Sequence, residues 1–228
     1  MPPYSLADPP VLAFIVLPIT MAAVFVWGTA MAGGPARRVA LNSIVWMGLT
    51  QSLAQRGVFL DWNRTPPPFA LLVATICILA VVIAFGKVGT RLAHLPLWML
   101  VAAQAFRLPL EIAMHALVGR GIMPEQMSYS GRNFDALTGA SAIVVAALVA
   151  AGVGGRKLVA AWNVAGLCLL VNIVVVAILS MPKFAVFGAD RLNVFVFYPP
   201  FVWLPAVLVL AALAGHLIVT RALSIRQA

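Results

Sequence analysis

The stretch from Pro68 to Gly86 holds no charged side chain, and its only hydroxyl is Thr75. A segment that apolar and about 20 residues long suits the hydrocarbon of a bilayer. A helix crosses it in roughly that length, with every backbone N–H and C=O paired inside the segment. The same pattern recurs along the chain. On this template we read seven candidate spans, at about 10–32, 39–60, 68–86, 95–119, 134–153, 158–181 and 199–221. The expectation is an all-α polytopic transmembrane helix bundle, with residues 1–228 forming a single integral membrane domain.

Composition closes off the alternatives. Hydrophobic residues make up 63% of the chain and charged residues 9%, against about 25% charged in a soluble domain. So apolar a chain could not cover a water-facing surface, and disorder needs the opposite balance. The net charge of +9 does not point to nucleic acid, because the cations sit singly or in pairs between apolar runs, as membrane-flanking anchors do. Cys77 and Cys168 lie inside apolar runs and read as small buried hydrophobes. The first apolar run is followed by Ala30-Met31-Ala32, which has the look of a cleavage site. No Lys or Arg precedes the run, so we read a retained first helix and not a signal peptide.

Charge placement bears on topology. The second span is the most polar, with Asn42, Ser43, Thr50, Gln51, Ser52, Gln55 and Arg56. If it crosses with the rest, one side carries Arg37, Arg38, Lys87, Arg91, Arg156, Lys157, Arg221 and Arg226 and no acid. The other side then carries Asp8, Asp61, Glu125, Asp135 and Asp190 with the remaining outlying cations. By the preference of Lys and Arg for the cytoplasmic side, the N-terminus is expected outside and the C-terminus inside. Trp62, Phe197, Tyr198 and Trp203 would then form an outer aromatic belt. In the fifth span Gly139, Ala142, Ala146 and Ala150 recur at near-fourfold spacing, which permits close backbone approach.

The polar centre falls on the fourth span. Arg107, Glu111 and His115 follow at i, i+4 and i+8 and share a helix face, with Gln104 one turn back. A charge at mid-bilayer costs about 2.5–3.5 kcal/mol on insertion scales, so Arg107 needs a partner, and Glu111 is the nearest. Pro109 between them should kink the helix and free a carbonyl. His115 points toward the loop that carries Arg132, Asn133 and Asp135. Asn172 on the sixth span and Gln55 and Arg56 on the second should lie at a similar depth. The expectation is a polar pocket in the outer half, lined by the second, fourth and sixth spans and lidded by residues 128–135. Its ligand-binding or proton-exchanging candidates are Arg107, Glu111, His115, Gln104, Arg132, Asn133, Asp135, Asn172, Gln55 and Arg56. His94 and His216 read as inner-side residues, so a haem or metal site has no support, and the sequence identifies no cofactor.

Several chemistries are absent from the sequence. No span contains the lysine a retinal Schiff base needs, and there is no His-Glu-x-x-His, no Gly-x-Ser-x-Gly and no phosphate-cradling loop. Three classes stay open. The chain could bind or transport a small molecule or ion. It could be a membrane-embedded enzyme acting on a lipid or quinone. It could be a scaffold or assembly subunit whose partners are other membrane subunits, with Arg107 and Glu111 as a structural clamp.

The strings Phe106-Arg-Leu-Pro-Leu-Glu111, Gly131-Arg-Asn-Phe-Asp135, Trp162-Asn163 and Pro200-Phe-Val-Trp-Leu-Pro205 resemble a group of small bacterial polytopic integral membrane proteins of unknown function. The likeness covers the C-terminal two-thirds of the chain. It implies one bundle in a bacterial inner membrane and carries no activity with it.

Overall fold

The computed structural model describes residues 4–225, and among them every regular element is helical. Five helices are long and apolar enough to cross a membrane. They are α1 (Pro9–Met31), α3 (Pro68–Phe85), the continuous run Leu97–Val118, α8 (Arg156–Leu179), and the run Leu204–Ile225. Two of the seven sequence spans fall short of that measure. One is α2 (Ala36–Gln55), of sufficient length but too polar, and the other is α7 (Asp135–Ala150), with 16 residues. A short α4 (Lys87–Leu92) follows α3.

The fourth span stays helical throughout but tightens in the turn before Pro109. It consists of α5 (Leu97–Ala102), a 3-10 turn at Ala103–Phe106, and α6 (Arg107–Val118). Pro109 stands in the first turn of α6, where its missing amide costs least. The last span opens with a π-helical turn, Leu204–Val209, which contains Pro205, and continues as α9 (Leu210–Ile225). A π turn displaces backbone carbonyls from their usual partners. Here the Ala206 carbonyl receives the Trp46 indole N–H at 2.8 Å, which ties α2 to the bundle.

Polar contacts sort the helix ends into two groups. At one end Arg91 donates to the Gly33 carbonyl, and Arg221 donates to the Ala84 carbonyl at 3.0 Å. At the other, Arg120 pairs with Asp8 at 2.9 Å, and the Tyr4 hydroxyl donates to the Pro199 carbonyl. Arg226 lies outside the described residues. The largest core cluster fills the Asp8 end and the middle; Val11 and Phe14 of α1 are fully buried in it. Of the expected aromatic belt, Trp62, Tyr198 and Trp203 are half-buried against this core and Phe197 lies within it. Phe197 is 1% exposed and packs with Trp62 and Phe69, because those rings close the bundle's end on one another. Cys77 and Cys168 are exposed, contrary to the expectation of burial, since each sits on the outward stripe of its apolar helix.

Two glycines bring the centre together. A Cβ on Gly139 of α7 would collide with the backbone at Arg107 and Leu108, so α7 crosses α6 there at backbone contact. A Cβ on Gly166 of α8 would stand 2.5 Å from His216 Cε1 on α9. Of the small-residue series on α7, Gly139, Ala142 and Ala146 face inward and Ala150 does not.

Candidate functional site

Arg107, 1% exposed, sits where α6, α7, α8 and α9 converge. Its guanidinium forks onto the Asp135 carboxylate, with Nε to Oδ2 at 2.7 Å and Nη2 to Oδ1. Two parallel charge-assisted bonds of this kind match guanidinium geometry to a carboxylate. The Thr138 hydroxyl also donates to Asp135 Oδ1, at 3.4 Å. The remaining guanidinium nitrogen, Nη1, lies 2.8 Å from His216 Nε2. Arginine can only donate, so His216 Nε2 accepts and the imidazole carries its proton on Nδ1. That N–H donates to Asn163 Oδ1 at 2.8 Å. Asn163 Nδ2 donates to the Thr220 hydroxyl at 2.9 Å, which donates to the His216 carbonyl at 3.0 Å. Every nitrogen of the guanidinium is engaged, and the chain of bonds ends on backbone.

Glu111, one turn along α6, is bound differently. Asn133 Nδ2 donates to its Oε1 at 2.7 Å and to the Met127 carbonyl at 3.0 Å, while Asn133 Oδ1 accepts the Asp135 amide at 3.0 Å. Glu111 Oε2, however, has no hydrogen-bond partner among the described residues, and neither has either polar atom of the Asn193 amide. Both side chains are essentially buried, at 2% and 1% exposure. Burying a polar atom unpaired costs about 1–3 kcal/mol, so such a pair calls for an explanation. They line one cavity of about 250 Å³. Its walls are apolar, with Phe69, Phe106, Leu110, Met114, Ile173 and Leu208 among them.

Of the sequence candidates, the structure gathers Arg107, Glu111, Asn133 and Asp135 at this cavity. Of the two alternatives for Arg107, Glu111 or a group on another helix, the structure forms the second. Asp135 takes the guanidinium because it approaches from a different helix and presents both oxygens side by side. His115 lies one turn further out, bonded to the Ser128 hydroxyl at 3.1 Å and stacked on Tyr129 at 4.4 Å. Arg132 is exposed, with its guanidinium over the Phe187 ring and its carbonyl accepting from Asn172 at 2.8 Å. Gln104 is buried on the other side of α9, its Oε1 unpartnered at a second, apolar cleft of about 180 Å³. Gln55 and Arg56 are exposed at the end of α2 and touch neither space. The second span therefore does not line the Glu111 cavity; α3 takes its place through Phe69, Val73, Ile76 and Cys77.

Three buried polar residues were not among the site candidates drawn from the sequence. His216 was assigned to the inner side, yet it is fully buried against Arg107. Its spacing from Thr220, four residues on in an apolar helix, was the available signal. Asn163 and Asn193 had only their polarity among apolar neighbours to mark them. Among the described residues no cluster of His, Cys, Asp and Glu could hold a metal ion. No family, no curated protein and no solved structure matches the chain.

Proposed function

We propose that this protein is a seven-span integral membrane protein that binds a small molecule in the cavity beside Glu111. The observation that carries this reading is the unpartnered Oε2 of Glu111 in the wall of a cavity of about 250 Å³. An empty apolar hole of roughly 150 Å³ stays dry and takes up benzene, so this space is large enough for a ring or a short chain. A mostly apolar concavity with a few convergent polar groups is the usual form of a ligand site.

Seven crossings with the N-terminus outside are supported by the grouping of Arg91 and Arg221 at one end and Asp8 and Arg120 at the other. On that reading the cavity lies in the outer half. A bacterial inner membrane follows from the resemblance of the Phe106–Glu111 and Gly131–Asp135 strings. Binding is favoured over transport. A path to the inner end would have to break the satisfied chain from Arg107 through His216 and Asn163 to Thr220.

The test is occupancy. Protein extracted from its native membrane and stripped of bulk lipid should retain one molecule per chain. Val174→Trp, on a half-buried cavity wall, should lose it while still eluting as a folded, monodisperse protein in size exclusion. The same bound species at the same ratio in both proteins would remove the site.

A further inference from the structure

The cavity has unpaired polar atoms in its wall and an open side, and the two together describe what it takes in. The open side lies between α3 and α8. Among the described residues these helices do not pack extensively on one another, although both line the cavity. Residues there are cavity wall and outer surface at once: Cys77 on α3, and Val171, Val175 and Ile178 on α8, all exposed. These positions lie within apolar spanning helices, so the mouth faces hydrocarbon. Accepting the cavity as a ligand site, we propose that its occupant is a membrane-dissolved amphiphile with a neutral hydroxyl headgroup, an alcohol or phenol, which enters sideways between α3 and α8 and hydrogen-bonds to Glu111 and Asn193.

Size separates head from tail. A volume of about 250 Å³ falls below the roughly 300–1,000 Å³ of sites that enclose a whole drug-sized ligand. It holds a headgroup and the start of a chain, and the rest must stay in the bilayer beyond the mouth. The unpaired polar atoms then choose the headgroup. Glu111 Oε2 is spare beside an oxygen already held by Asn133, and Asn193 offers both a donor and an acceptor. A hydroxyl both donates and accepts, so it suits either group. A carboxylate or phosphate would carry a full charge into an apolar-walled cavity. Among the described residues the one cation lining the cavity, Arg107, is already engaged by Asp135 and His216. An ammonium would leave the Asn193 N–H groups unpartnered, because it can only donate.

The experiment uses the full chain in an amine-oxide detergent, which has no hydroxyl of its own. The probes are 1-dodecanol, its methyl ether, dodecylamine and dodecanoate, with bound probe counted by native mass spectrometry and affinity taken from melting shifts. One dodecanol per chain is expected, with the methyl ether, the amine and the carboxylate each weaker by about tenfold or more, the effect of losing one or more buried hydrogen bonds. Asn193→Leu, which breaks no existing side-chain bond, should weaken dodecanol by a similar factor. Glu111→Gln, which keeps an oxygen for Asn133, should alter the ranking of dodecanol against the amine. Entry is read in nanodiscs, where Val175→Trp at the exposed mouth should slow dodecanol uptake at least severalfold. An ether that binds as well as the alcohol, or an amine that binds better, overturns the hydroxyl assignment and leaves the cavity reading intact. Unchanged uptake in Val175→Trp overturns lateral entry. Failure of every probe to bind refutes the ligand site itself.

Discussion

Removing the Asp135 carboxylate is the sharpest perturbation of the centre. Asp135→Leu takes away both acceptors of the Arg107 fork and leaves a cation, 1% exposed, with His216 as its remaining bonded partner. Breaking a buried pair from one side costs about 3–5 kcal/mol. For a chain of this size each kcal/mol moves the midpoint by about 2–4 °C, so melting in detergent should fall by roughly 6–20 °C. Removing both charges should be far milder. Arg107→Met with Asp135→Leu leaves the His216 Nε2 acceptor unpaired, at about 1–3 kcal/mol, and the Thr138 hydroxyl loses its long bond to Asp135 in the single and double variants alike. The double variant should therefore recover around half the loss. Glu111 supplies an internal check, since it sits one turn from Arg107 on the same helix and becomes the nearest carboxylate once Asp135 is gone. Asp135→Leu with Glu111→Gln should then melt below Asp135→Leu alone, although Glu111→Gln by itself shifts little. Scanning fluorimetry with a size-exclusion check measures all four. If Asp135→Leu melts within 2 °C of the parent, or the double variant is as unstable as the single, the clamp contributes nothing and the reasoning is refuted.

Three further outcomes follow from the same geometry. Gly166→Ala puts a Cβ 2.5 Å from His216 Cε1, and the resulting overpacking should destabilise by about 1–3 kcal/mol, with a matching fall in melting temperature; an unchanged melt would mean α8 and α9 can part freely. His216→Leu strips a partner from Arg107 Nη1 and from Asn163 Oδ1, and should cost about 2–6 kcal/mol at 1–3 per orphaned group, where Asn163→Leu alone costs less. In a background lacking Cys77 and Cys168, cysteines at Asn63 and Ser130 should react with a membrane-impermeant maleimide in intact cells, and those at Pro35 and Gly155 only after lysis; labelling of Pro35→Cys and Asn63→Cys from the same side would show that α2 does not cross.

The fold was legible because apolar runs of bilayer length leave a helix few other options. The Pro68–Phe85 run became α3 and the Arg156–Leu179 run became α8, close to the expected bounds. Side-chain pairing was less legible, for a physical reason. Helical periodicity reports which residues of one helix share a face and says nothing about what the neighbouring helix brings to it. Arg107 and Glu111 do share a face, but the partner of Arg107 comes from 28 positions away on α7, admitted by Gly139 at backbone contact. The 3-10 turn at Ala103–Phe106 and the π turn at Leu204–Val209 were foreshadowed only by Pro109 and Pro205.

That pairing also separates support from site. The buried centre holds two acids and one arginine, and geometry gives the arginine to Asp135 with both oxygens used. Had Arg107 instead closed on Glu111, Asp135 would have been the spare carboxylate, at the first turn of α7 where backbone amides and Thr138 can satisfy it. With the fork on Asp135, the surplus acid is Glu111. Its second oxygen is unpaired, Asn193 is unpaired at the same cavity, and the cavity's open side lies between α3 and α8. The arginine that first drew attention in the sequence therefore holds the helices together. The carboxylate it leaves unclaimed is the group available for chemistry or binding.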